Sequence, residues 1–187
     1  VGFMALFNRK YIKITLLAIL IALFNQLSGI NAIIYFAPRI FDMAGISAES
    51  ALLSTVGIGV TNIIATMLGL FLIDRIGRKK LMYIGSFGYI ISLLLIAYSF
   101  SGAQINNTFL PIFVFMFIAS HAVGQGAVIW VFISEIFPNE LRAHGQSMGC
   151  FTHWILAAII ANVFPLMANQ FGPVVIFGFF ALMMVLQ

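Results

Sequence analysis

Acidic residues are scarce: five Asp and Glu are spread over 187 positions, and charged residues of both signs make up only 7% of the chain. A soluble domain carries about 25% charged residues, so a water-facing globule is excluded. Cysteine is scarcer still. The single Cys150 lies in an apolar run and rules out a disulfide framework or a cysteine zinc cluster. It reads as a buried, inert thiol. No HExxH, GxSxG or P-loop pattern occurs, and the three histidines lack metal-ligand spacing. The chain therefore offers no catalytic set of an enzyme and no metal or cofactor signature. Its net charge of +4 is small and scattered over short polar stretches, which argues against a nucleic-acid partner.

What the chain has in abundance is apolar length. Hydrophobic residues make up 63%, with twenty Phe and nine Met, the composition of an all-α, polytopic membrane protein. The apolar runs predict six spans, at about 14–38, 51–73, 81–101, 109–137, 146–167 and 171–187. Polar segments separate them: Phe41–Ser50, Asp74–Lys80, Gly102–Asn107, Pro138–His144 and Ala168–Gln170. The start at Val1 and the short sixth span read as part of a longer protein. Arg9, Lys10, Lys13, Arg75, Arg78, Lys79, Lys80 and Arg142 fall on one side of the predicted topology, leaving only Arg39 on the other. Basic residues concentrate in cytoplasmic loops, so residue 1 is expected in the cytoplasm of a plasma (bacterial inner) membrane.

The polar exceptions inside the spans carry the functional reading. Asn25 and Gln26 lie near the midplane, because Gln26 is about 18 Å along a helix from Ile14. Asn31 follows, with Ser28-Gly29 between as a pair able to open the helix. Amides at that depth either glue helices together or line a polar cavity. On a regular helix Gln26 and Asn31 would stand about 140° apart. One ligand suits both only if the helix opens at Ser28-Gly29. In the fourth span, Gly124 and Gly126 precede Trp130. That indole is either core packing or an apolar platform with one N–H donor. His153-Trp154 sits within the fifth span, where a histidine is either a hydrogen-bonded core residue or a functional one. No carboxylate, Lys or Arg joins this midmembrane set, which suits a neutral, polyhydroxylated substrate. Near the charged turns, Asp74, Arg75, Arg78, Glu135 and Arg142 either form helix-bridging pairs or merely mark topology.

Three stretches occur in order: Gln26–Pro38 (QLSGINAIIYFAP), Asp74–Lys80 (DRIGRKK) and Ser134–Ser147 (SEIFPNELRAHGQS). Together they resemble the second half of a sugar porter of the major facilitator superfamily. The resemblance implies a six-transmembrane-helix half built as two inverted three-helix repeats, from the seventh to a truncated twelfth helix. It implies alternating-access transport of a neutral monosaccharide, hexose or pentose, with or without a coupled proton. A non-transporting sugar sensor on the same fold and a channel-like pore are the alternatives. The implied partners are the sugar, the lipid bilayer and an N-terminal six-helix half. By resemblance, Asn25, Gln26, Asn31, Asn62, Trp130, His153 and Trp154 are substrate-binding. Asn25 stands where the family usually has Gln, and His153 where Asn or Gln is common. Tyr35-Phe36 resembles an outer aromatic gate, usually two Tyr, beside the Ser28-Gly29 break. The family's Gly-Pro in the tenth helix reads Gly126-Ala127 here, and Ala122 stands where some members carry Glu.

Overall fold

The computed structural model describes residues 2–101 and 109–187, and within them every regular element is helical. The predicted loop at 102–107 lies outside the described residues. Lipid supplies no hydrogen bonds to the backbone, so spanning segments must satisfy their own. After a short 3₁₀ helix, Phe3–Phe7, come α1 (Ile12–Gln26), α2 (Ile30–Met43), α3 (Ala48–Ile76) and α4 (Arg78–Ser99). Then follow α5 (Leu110–His121), a π-helical turn (Ala122–Gly126), α6 (Val128–Ile136) and α7 (Arg142–Leu186). Among the described residues, five stretches are long and apolar enough to cross a membrane: α1 with α2, α3, α4, α5 through α6, and α7.

α7 does the work of two crossings. Its 45 residues would span about 68 Å if straight, over twice the roughly 30 Å of a bilayer core. It breaks at Gly172, whose φ of 79° and ψ of 161° are non-helical, with Pro173 next. The chain doubles back there. The Phe164 and Phe177 rings on opposite sides of the break pack 6.5 Å apart. The expected loop at 168–170 is still helical, and the reversal comes at Gly172, where a positive φ suits glycine.

The stretch of α1 with α2 and the helix α3 also outrun the predicted spans at 14–38 and 51–73, because hydropathy marks the apolar crossing and not the polar turns at its ends. α2 continues through Pro38 to Met43, at the cost of a non-helical Phe36 (φ −113°, ψ 16°). Proline lacks the N–H that would bond back one turn, and its ring crowds the carbonyl there. The expected turn at Asp74–Lys80 shrinks to Gly77 alone, which ends α3 and starts α4 with φ 93°.

The largest core cluster gathers Phe41, Tyr89, Leu93, Ile96, Phe117 and Phe177 between α2, α4, α5 and α7. A second joins Leu6 and Ala18 to Ile129, Ile133, Phe137 and Leu141. The outside is equally apolar. Leu52, Val56, Ile63, Met67, Leu70 and Phe71 of α3 are all exposed. In water such a patch is a liability; against lipid tails it costs nothing. The chain is an integral, multi-pass membrane protein.

Glycines set the tightest approach. The π-helical turn presses its backbone against α3 and α4. A Cβ on Gly124 would lie 2.3 Å from Gly85 Cα, and one on Gly69 would lie 2.9 Å from the Val123 carbonyl. Small residues let membrane helices meet backbone to backbone, and here they fix the height at which residue 125 enters the core.

Candidate functional site

The site begins at the break between α1 and α2. Gly29 adopts the left-handed conformation (φ 84°, ψ 15°), and the Ser28 hydroxyl donates to the Asn25 carbonyl at 2.7 Å, closing the end of α1. Because the helix is interrupted, two amides that a regular helix would hold apart now meet. Asn31 Nδ2 donates to Gln26 Oε1 at 3.1 Å. Gln26 is fully buried, yet its Nε2 has no partner among the described residues. A buried donor left unpaired is costly, so this N–H is available to a ligand acceptor.

A second break, the π-helical turn, delivers Gln125. Such turns insert an extra residue into a helix and often occur at functional sites. Here the turn takes the place of the proline hinge, since Gly126-Ala127 contains none. Gln125 is buried. Its Nε2 donates to Ser86 Oγ (2.6 Å), Gln187 Oε1 (2.9 Å) and the Met82 carbonyl (3.3 Å). Its Oε1 accepts from Asn25 Nδ2 at 3.2 Å. On its other side, Asn25 Oδ1 lies 3.2 Å from His153 Nε2. One polar chain thus crosses the bundle from α4 through the π-helical turn and α1 to α7. Gln125, Ser86 and Gln187 were not singled out in the sequence. A lone amide between two glycines in an apolar span was the signal available for Gln125; nothing local marks the other two.

The remaining predicted site residues divide. Trp130 stands edge-on to His153 with ring centroids 5.1 Å apart, so indole and imidazole share one wall. Trp154 touches the other edge of His153 at 5.4 Å, but 58% of it is exposed and it points out of this half. Asn62 is half-buried, and among the described residues its side chain bonds only Thr66 of its own helix, accepting from Thr66 Oγ1 at 3.5 Å. It does not join the buried network. Tyr35 is exposed, whereas Phe36 stacks on Phe164 at 5.2 Å, so the aromatic pair splits between surface and core. His121 is helix glue: its Nδ1 is hydrogen-bonded to the buried Tyr89 hydroxyl, tying α5 to α4.

The five charged residues also divide. Arg78 reaches Glu135 at 2.9 Å and Asp74 at 3.3 Å, bridging the start of α4 to the ends of α6 and α3. Among the described residues Arg142 makes no ion pair; its Nε donates to the Ser134 carbonyl at 2.9 Å. Arg75 lies outside the cluster, its guanidinium 4.2 Å from the Phe71 ring centroid. At the opposite end, Arg39 donates to Asn169 Oδ1 at 3.2 Å. Among the described residues, no three His, Cys, Asp or Glu side chains are grouped as a metal site would require.

Comparison with known proteins places this arrangement. The arabinose-proton symporter of Bacillus subtilis (strain 168) is 37% identical over 97% of this chain and 39% of its own length. The D-xylose-proton symporter of Escherichia coli (strain K12) is 31% identical over 83% of this chain and 32% of its own. A crystal structure of a D-xylose-proton symporter superposes with a TM-score of 0.85 at 28% identity, covering 98% of this chain and 42% of that one. The chain spans about two fifths of the length of the curated relatives it matches. The model of the family described as "Sugar (and other) transporter" matches residues 3–187. With that match over nearly its whole length, an all-helical fold shared with the xylose symporter and two helix breaks lined by neutral amides, the chain belongs to the sugar porters of the major facilitator superfamily.

Proposed function

We propose that residues 1–187 form the C-terminal six-helix half of an alternating-access carrier for a neutral monosaccharide. The observation that carries this reading is chemical. Where two helices break, the chain buries Asn25, Gln26, Asn31, Gln125 and His153 together, with no carboxylate, Lys or Arg among them. Such groups match the hydroxyls of a sugar and do not select an ion. Trp130 adds an apolar face, and Asn62 and Trp154 complete the site from the edge when an N-terminal half closes over it. Discontinuous helices at the midplane, set in inverted repeats, are how secondary transporters build such sites. Two relatives are named as pentose-proton symporters and another as a facilitated trehalose transporter. Transport of a sugar, with or without a coupled proton, is the reading these names support best.

Asn31 now donates to Gln26 Oε1 while Gln26 Nε2 is left unpaired among the described residues, so a bound sugar exchanges one internal hydrogen bond and engages a free donor. One neutral hydrogen bond contributes about 0.5–1.5 kcal/mol net. Gln26→Ala and Asn31→Ala in the intact carrier should therefore each weaken sugar binding roughly two- to tenfold while the protein stays folded. Titration of labelled sugar against purified carrier measures this. Wild-type affinity in both variants would make the amides helix glue. Sugar counterflow in liposomes decides against a sensor or an open pore, neither of which exchanges internal for external sugar.

The Arg78 cluster acts as the cytoplasmic gate, on the side assigned by the basic residues. Exposed ion pairs contribute only about 0–1 kcal/mol each, too little to hold the fold but enough to bias two nearly balanced states. Arg78→Ala or Glu135→Ala should raise the inward-open population several-fold. Spin-label distances across the inner face would report it, and unchanged distances would reduce the cluster to surface decoration. Lys79→Cys in sealed cells should resist an impermeant thiol reagent added outside.

A further inference from the structure

We infer that Gln125 is a positioning residue whose hydrogen bonds, relayed through Asn25, hold His153 as a neutral imidazole with Nε2 protonated and Nδ1 presented as an acceptor. The inference rests on the proposed sugar site and names the role of one group within it.

The argument starts from a backbone carbonyl, which can only accept. Met82 O lies 3.3 Å from Gln125 Nε2, so the end of Gln125 facing α4 must be its NH₂. Its Oε1 is then the end facing Asn25, 3.2 Å from Asn25 Nδ2. An oxygen there demands a donor, which orients the Asn25 amide with its NH₂ toward Gln125 and its Oδ1 toward His153. Asn25 Oδ1 accepts from His153 Nε2 across 3.2 Å, so Nε2 carries the proton. In a neutral imidazole the second nitrogen is then a bare acceptor. His153 Nδ1 is buried, on a residue only 8% exposed, and has no partner among the described residues. Neither ring beside it, Trp130 or Trp154, brings a carboxylate to support a second proton. An unpaired charge there would be costly.

The consequence is directional. An amide at position 153 would offer donor or acceptor by turning over. The imidazole, its tautomer fixed from 28 residues away in sequence, offers only an acceptor. A ligand must place a donor there, and a sugar hydroxyl is the donor the site's chemistry expects. Asn25, with both amide ends engaged inside the protein, is removed from direct sugar contact.

The test is ¹⁵N NMR of the histidine-labelled intact carrier in proteoliposomes, first without sugar, with the His153 signals assigned by their loss in His153→Gln. The expected spectrum has a pyrrole-type Nε2 and a pyridine-type Nδ1. A protonated Nδ1 would overturn the inference outright. Gln125→Leu removes the anchor and should raise the other tautomer roughly fivefold, the preference set by about one hydrogen bond. Asn25→Ala should do the same by cutting the middle link. An unchanged tautomer ratio in a folded form of either variant would overturn the relay. Adding D-xylose then tests the contact separately. A shift of the wild-type Nδ1 signal supports sugar at this atom. An unmoved signal with Nε2 protonated leaves the relay standing and overturns the sugar contact.

Discussion

Gly124→Ala should be among the most damaging single-methyl changes in the chain. The added Cβ would lie 2.3 Å from Gly85 Cα, 2.6 Å from Gly85 N and 2.8 Å from the Leu81 carbonyl. Carbon atoms in contact sit about 3.5–4.0 Å apart, and all three neighbours are backbone, so no rotamer change relieves the clash. The π-helical turn must retreat from α4 by an ångström or more. Overpacking a well-packed core costs about 1–3 kcal/mol, and a clash borne entirely by backbone belongs at the upper end. The retreat would also pull Gln125 away from Ser86 and Met82, so transport should fall with stability. Two alanines serve as internal controls. On Gly126 the new Cβ has nothing nearer than the His121 carbonyl at 3.4 Å, and on Gly59 nothing lies within 4 Å. Thermal unfolding of the purified variants should rank Gly124→Ala far below the other two. Equal midpoints for all three would mean that the two backbones are not in contact.

Hydropathy made the crossings legible, because lipid demands long apolar helices and few other segments read that way. The pause at Ser28-Gly29 was legible for a similar reason: adjacent amides at midplane depth need a break to be useful. The π-helical turn was not. Nothing in Ala122–Gly126 distinguishes an extra residue per turn from ordinary helix, and the feature exists only because Gly69, Gly85 and Gly124 let three backbones close on it. Gln187 and Ser86 were invisible for another reason. Each is separated from Gln125 by dozens of residues, and only the packing of α4 and α7 says which way their side chains face. The charged turns illustrate the limit of reading charge by proximity. Asp74, Arg75 and Arg78 share one short stretch, yet Arg78 finds Glu135 while Arg75 lies over its own helix's Phe71. Helical phase decides between them, and phase at a turn depends on the single residue Gly77.

Gly29→Ala should lose stability from two separable sources. The first is conformational. Gly29 has φ 84°, and an L-residue in the left-handed region costs roughly 1–2 kcal/mol. The second is steric, since the new Cβ would come within 2.4 Å of the Phe180 ring, which is buried at 4% exposure. That clash costs about 1–3 kcal/mol more, though a ring can shift where a backbone cannot. Together they predict a loss of roughly 2–5 kcal/mol. They also predict a straightened junction in which Asn31 no longer meets Gln26, so sugar affinity should fall in any molecules that remain folded. Phe180→Leu removes ring edge without touching the backbone. The double variant Gly29→Ala/Phe180→Leu should therefore recover the steric part and keep the conformational part, measured against Phe180→Leu alone as reference. Complete recovery would show that the left-handed residue stores no strain and that the break is held by packing alone. No recovery would show that the backbone conformation carries the whole cost, and the opening between Gln26 and Asn31 would then rest on one glycine.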